Sequence, residues 1–120
     1  AAPFSVVEAS MADMQKAMAE GRVTSRQLVE QYLQRIALYE ERLNATIAVN
    51  PKALEEADRL DAERKAGTLR GPLHGIPVAL KDNIHTTDMP TTGGAVAFEG
   101  FIPPYEATLT KNLKDAGAII

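Results

Sequence analysis

The stretch GPLHGIPVALKDNI, residues 71–84, decides how this chain is read. Ile76, Val78, Ala79 and Leu80 make an apolar run of strand length, with Gly75 on one side and Asp82–Asn83 on the other. Uninterrupted apolar runs of this kind belong to strands covered on both faces. Lys81 then places a full positive charge at the carboxyl end of the run. Two readings compete. A strand-end lysine commonly snorkels to water, and Asp82 beside it could complete a weak surface ion pair. If the amine is buried instead, lost hydration suppresses its charge, and it becomes a general base or a nucleophile. The carboxyl ends of strands are where α/β sheets bind their ligands, which favours the second reading. The expectation is an interior strand over 76–80 with Lys81 mostly buried at its end.

Upstream of this stretch the chain reads as helical. Ser10 caps a short helix carrying Met11, Met14 and Met18 on one face, with Gly21 just past its end. Thr24 and Gln27 have capping-box spacing. Behind them Leu28, Tyr32, Ile36, Tyr39 and Leu43 step by four and three along one apolar stripe. Asn50 and Pro51 open a third helix as cap and first-turn proline; it runs through Leu54, Ala57 and Leu60 and stops before Gly67. The alternating charges of EEADRLDAERK, residues 55–65, read as a solvated face.

Downstream the character changes. Gly71, Pro72, Gly75, Pro77, Pro90, Gly93 and Gly94 punctuate short apolar pieces, the pattern of strands and loops. Leu109 and Leu113 then mark a helix ended by Gly117, and AII at 118–120 reads as a buried strand. Strand, helix, strand in that order predicts an α/β sheet. The organisation expected is a helical segment over 1–68 and the start of an α/β core over 69–120, together one piece of a larger domain.

Bulk properties narrow the function. The 120 residues carry a formal net charge of −3, with 45% hydrophobic and 24% charged residues, ordinary for a globular protein. No basic patch supports nucleic-acid binding, and no apolar run suits a membrane span. There is no cysteine, which excludes disulfides, thiolate nucleophiles and cysteine metal sites. His74 and His85 lack metal-ligand spacing and read as surface or loop histidines, so no metal or cofactor is expected. A cytoplasmic protein is the expectation; the start AAPFS raises export with a removed leader as the alternative.

The lysine segment, the MPTTGG loop at 89–94 and EATLTKNLKDAGAII at 106–120 follow one another as in the amidase signature family, which this chain resembles over nearly its whole length. LRGPLHGIP and FEGFIPP look closest to its peptide-amidase-like branch. The resemblance implies the N-terminal part of that family's α/β/α fold: helices, then the first strands of a mixed sheet. It also implies a Ser–cis-Ser–Lys triad, an acyl-enzyme and release of ammonia or an amine from a small-molecule or peptide amide. Lys81 falls on the family's lysine, which exchanges a proton with the bridging serine.

The family's two serines lie downstream of the lysine, whereas Ser5, Ser10 and Ser25 all lie upstream. They suit structural roles, so the 120 residues alone are expected to be inactive and to need the remainder of the amidase chain as their partner. Asp82 and Asn83 are supporting candidates, either hydrogen-bonding the lysine loop or the serine segments, or forming an Asx turn, which is favoured. TTGG, residues 91–94, reads as a pocket wall. Other readings stay open: the A-type subunit of a tRNA-dependent amidotransferase, a Schiff-base lysine enzyme, and a non-catalytic helical interaction module.

Overall fold

Helix N-termini leave backbone N–H groups without partners, and local side chains here supply them. In the computed structural model, which describes residues 2–120, helix α1 spans Met11–Ala19, α2 Ser25–Leu43, α3 Ala53–Lys65 and α4 Thr108–Asp115, with a single 3₁₀ turn at Val96–Phe98. At α1, the Ser10 hydroxyl accepts from the Asp13 N–H at 3.1 Å, and the Asp13 carboxylate accepts from the Ser10 N–H at 2.9 Å. Thr24 and Gln27 exchange the same pair of bonds at α2. The Ser10 cap and the Thr24–Gln27 box stand as expected, and Asp13 makes the Ser10 cap a second box.

A further cap at α2 comes from α3. The Asp61 carboxylate accepts from the Ser25 N–H at 2.8 Å and the Arg26 N–H at 3.0 Å. With Thr24 accepting from Gln27, the first three N–H groups of α2 are all satisfied. The charged run of α3 is therefore not simply a solvated face: Asp61 caps a neighbour, and Arg64 donates to the Gln15 side chain and to the His74 carbonyl. Replacing Asp61 by alanine is expected to cost about 1–2 kcal/mol, the upper range of a lost helix cap, because two donors and a favourable dipole contact go together. The denaturant midpoint of the full-length protein checks this. Asp61→Asn should retain part of the loss, since one oxygen remains.

Helix α2 is the middle of the structure. Leu28, with Tyr32 at the margin, joins Val6, Met14, Ala17, Met18, Val23 and Ile76 in one buried cluster. Val29 and Leu33 face the other way, with Ala53, Ala57, Leu60 and Ile119. The predicted α2 stripe is only half covered: Leu28 is fully buried, whereas Tyr39 and Leu43 are 45% and 68% exposed. Periodicity marks the stripe but does not provide its cover. Met11 likewise lies exposed beside buried Met14 and Met18.

The strand–helix–strand order holds in shortened form. The chain passes from the extended segment around Pro77 through a loop and α4 to Ile119, and the two segments pair in parallel at Pro77 and Ile119. Ile119 N–H donates to the Ile76 carbonyl at 2.9 Å and Val78 N–H to the Ile119 carbonyl at 2.8 Å. Leu73 and Gly75 donate to Ala116 and Gly117 just before. A full interior strand over 76–80 is not formed. Pro77 has no N–H to extend the ladder, and of the apolar run only Ile76 is buried while Ala79 is exposed. Ala118, Ile119 and Ile120 are buried as expected. Helices set against parallel pairing make this α/β architecture.

Three local expectations need correction. α3 begins at Ala53, because Asn50 and Pro51 form a preceding turn: the Asn50 side chain accepts from the Lys52 N–H and donates to the Ile120 carbonyl. α4 seats Thr110, fully buried, rather than Leu109, which is half exposed. His74 is no surface histidine; the residue is 1% exposed. Its Nδ1 lies 3.1 Å from the Arg70 N–H, and its Nε2 lies 2.8 Å from the Leu60 carbonyl. A donor at one nitrogen and an acceptor at the other select the neutral tautomer protonated at Nε2. Among the described residues, no helix is long and apolar enough to cross a membrane.

Candidate active site

The extended segment after Ile76 runs out along one wall of an open concavity of about 850 Å³. Val78, Lys81, Thr91 and Gly93 line that wall, and Tyr32 and Ile47 line the helical side. A main-chain bond from the Ile84 N–H to the Lys81 carbonyl, 3.0 Å, closes a turn over 81–84. Lys81 thus stands at the carboxyl end of the extended segment, on the concavity, as the sequence suggested. It is not buried: its side chain is exposed, because the described residues form walls around it but no cover.

Asp82 does not pair with Lys81. Its carboxylate reaches across ten residues to Thr92, accepting from the Thr92 N–H at 3.2 Å and from the Thr92 hydroxyl. The Thr92 hydroxyl accepts in turn from the Gly94 N–H at 3.1 Å, and the Asp82 carbonyl accepts from the Gly93 N–H at 2.8 Å. The favoured Asx turn is therefore not what Asp82 makes; it joins the lysine turn to the threonine–glycine loop. Asn83 lies exposed on the concavity. The Thr91 hydroxyl is sealed from solvent without a partner among the described residues.

The bonds from the Thr92 hydroxyl and the Thr92 N–H outweigh desolvation and hold the Asp82 carboxyl below its ordinary range. A depressed folded value means that the contact stabilises fully above the unfolded carboxylate pKa and is lost as pH falls through the lower folded one. The junction is therefore expected to be indifferent to pH near neutrality and to open only in acid. Amide exchange at Thr92 and Gly93, followed on lowering the pH, measures this.

The rest of the loop is tied at its neck. The His85 carbonyl accepts from the Ala107 N–H at 3.1 Å and the Thr110 hydroxyl at 2.7 Å. Lys114 bonds Asp88 and Glu106, and Thr87 also donates to Glu106 at 2.9 Å. Burial pushes the Lys114 amine down, but the two carboxylates prevail and hold it above its ordinary value.

All three serines serve the backbone or its caps. Ser10 caps α1, Ser5 Oγ accepts from the Val7 N–H, and buried Ser25 donates to the Gly75 carbonyl at 2.7 Å. No described serine lines the concavity. Among the described residues no group of three or more His, Asp or Glu is gathered to hold a metal ion.

Comparison with known proteins agrees on one family. Residues 27–120 match the family described as Amidase. The A-type subunit of the glutamyl-tRNA(Gln) amidotransferase of Rhodopirellula baltica is 43% identical over 112 residues, covering 92% of this chain and 22% of that protein. The native peptide amidase of Stenotrophomonas maltophilia superposes with a TM-score of 0.91 at 47% identity, over 98% of this chain and 24% of that one. An amidase family protein from Bacillus anthracis superposes at 0.89 and 37% identity, over 95% and 23%. The chain therefore spans under a quarter of the length of these relatives.

Proposed function

The chain belongs to the amidase family, and from that premise we propose that the full-length protein hydrolyses carboxamides, with Lys81 as its proton-accepting amine. The observation that carries this reading is the place of Lys81, on the concavity where the extended segment ends. Serines from outside these 120 residues complete the machinery. One serine hydroxyl attacks the amide carbonyl as its proton passes, through the second serine, to the neutral lysine amine. The C–N bond breaks, the nitrogen takes up a proton and leaves as ammonia or an amine, and water then cleaves the acyl-serine ester. The segments carrying the serines also close the concavity and strip water from Lys81, which is what an amine needs to serve as a base.

For the substrate we favour a peptide amide, on the 47% identity with the peptide amidase and the FEGFIPP segment that resembles that branch. The 43% identity with an amidotransferase subunit supports a second reading, in which ammonia is passed on within a multisubunit complex. Purified full-length protein incubated with a peptide carboxamide is expected to release ammonia unaided, and hydroxylamine should divert the acyl group to a hydroxamate. Ammonia release from glutamine that requires added partner subunits would decide for the second reading. No turnover of any carboxamide, and no hydroxamate, would remove both.

A further inference from the structure

We propose that Asp82 is a positioning residue: by clasping Thr92 it fixes the lysine turn against the threonine–glycine loop and so sets where Lys81 stands in the concavity. This role rests on the proposed function of Lys81 and adds a requirement to it. Lys81 is carried by the turn over 81–84, so the placement of that turn sets where its backbone stands in the concavity. A base that is misplaced by about 1 Å loses on the order of 100-fold in rate, so fixing that turn matters.

The chemistry of the clasp is directional. Thr92 Oγ1 accepts from the Gly94 N–H, so its own proton is free to point at Asp82 Oδ2. The other oxygen, Oδ1, takes the Thr92 N–H. Two donors from one residue therefore meet two acceptor oxygens, which a carboxylate offers and a carboxamide does not. Asp82→Asn would turn an NH₂ group toward one of those donors. The main-chain bond from the Gly93 N–H to the Asp82 carbonyl adds a further link between the same two segments. Gly93 and Gly94 have φ of 59° and 76° with nothing within 4 Å of a Cβ, so their left-handed backbone is set by aiming these N–H groups rather than by crowding. Lys81, Asp82, Thr91, Gly93 and Gly94 all line the concavity, so the clasp joins two parts of its wall.

The test uses the full-length protein and a peptide carboxamide, with Lys81→Ala, Asp82→Asn, Thr92→Val, Thr92→Ser, the Asp82→Asn/Thr92→Val double variant, and Asp61→Ala as a structural control. Asp82→Asn and Thr92→Val are each expected to lower kcat on the order of 10- to 100-fold with little change in KM. The double variant should be no worse than the poorer single one, since both remove the same clasp. Thr92→Ser, which keeps the hydroxyl, should recover most of the rate. Asp61→Ala, which lies outside the clasp, should leave kcat unchanged. If Lys81→Ala remains active, the reading of the site falls, and the positioning role falls with it. If Lys81→Ala is inactive while Asp82→Asn and Thr92→Val keep wild-type kcat, only the positioning role is overturned. Should Asp82→Asn fail to fold, the Thr92→Val and Thr92→Ser pair decides: equal rates in the two overturn the role.

Discussion

Lys81→Ala in the full-length protein is expected to abolish nearly all carboxamide turnover while leaving the fold intact. Removing a positioned base typically lowers the rate on the order of 10²–10⁴-fold, and members of a triad lose more because they act as a unit. The fold should survive because Lys81 belongs to neither buried cluster. Lys81→Arg separates charge from basicity. An arginine restores the cation, but its guanidinium stays protonated and cannot accept a proton from serine, so it should be nearly as inactive as alanine. A lysine amine starts near a pKa of about 10.4 and is a base at neutral pH only where its charge is suppressed. Turnover of a peptide carboxamide by the wild type and both variants, with thermal melts as the folding control, measures this. An arginine variant with near wild-type activity would rule out proton acceptance by this residue, and a Schiff base at this position along with it.

What could be read in the sequence was local. Ser10 as a cap and Thr24 with Gln27 as a box follow from helix pitch alone. Gly117 after Leu113, and the apolar AII that follows it, place a helix stop and a buried segment by the same kind of near-neighbour reasoning. The lysine motif lay on the concavity where a strand-end ligand site was anticipated. What could not be read depended on contacts far along the chain. Asp61 looks like one charge among many in EEADRLDAERK, and only the approach of α3 to Ser25, 36 residues away, makes it a cap. Asp82 carries a strong local turn tendency, yet Thr92 offers two donors at once and wins. Burial was the least legible property. Lys81, Tyr39 and Leu43 sit on apolar patterns that imply cover, and the described residues do not provide it. His74 shows the converse: a histidine beside a turn becomes buried because the Arg70 N–H and the Leu60 carbonyl satisfy both ring nitrogens.

Gly117→Ala is expected to be the most damaging single-methyl change in this chain, and two other glycines supply its controls. Helices α1, α3 and α4 end alike: Gly21, Gly67 and Gly117 donate to Met18, Arg64 and Lys114 carbonyls, and the next residue donates to Ala17, Glu63 and Leu113. This is the Schellman closure, with glycine at φ of 69°, 81° and 92°. An alanine in that region costs roughly 1–2 kcal/mol through its own backbone, and Gly21 and Gly67 have nothing within 4 Å of the added methyl. They should lose only that much. At Gly117 the Cβ would lie 2.6 Å from His74 Cα and 3.0 Å from His74 N, a backbone obstacle with no flexible end to swing aside. His74 cannot yield alone, because its ring is bonded to Arg70 and Leu60 and its carbonyl takes donors from Gln15 and Arg64. Gly75 and Ile76 follow it into the parallel pairing with Gly117 and Ile119. Separating the two segments therefore strains several hydrogen bonds, each worth roughly 1 kcal/mol net, beyond the backbone term. The total should reach on the order of 4 kcal/mol, a large share of the roughly 5–15 kcal/mol that stabilises a typical domain. Denaturant midpoints and soluble yield of the three alanine variants in the full-length protein measure the difference. A Gly117→Ala variant no less stable than Gly67→Ala would mean that the two backbones do not meet as closely as described.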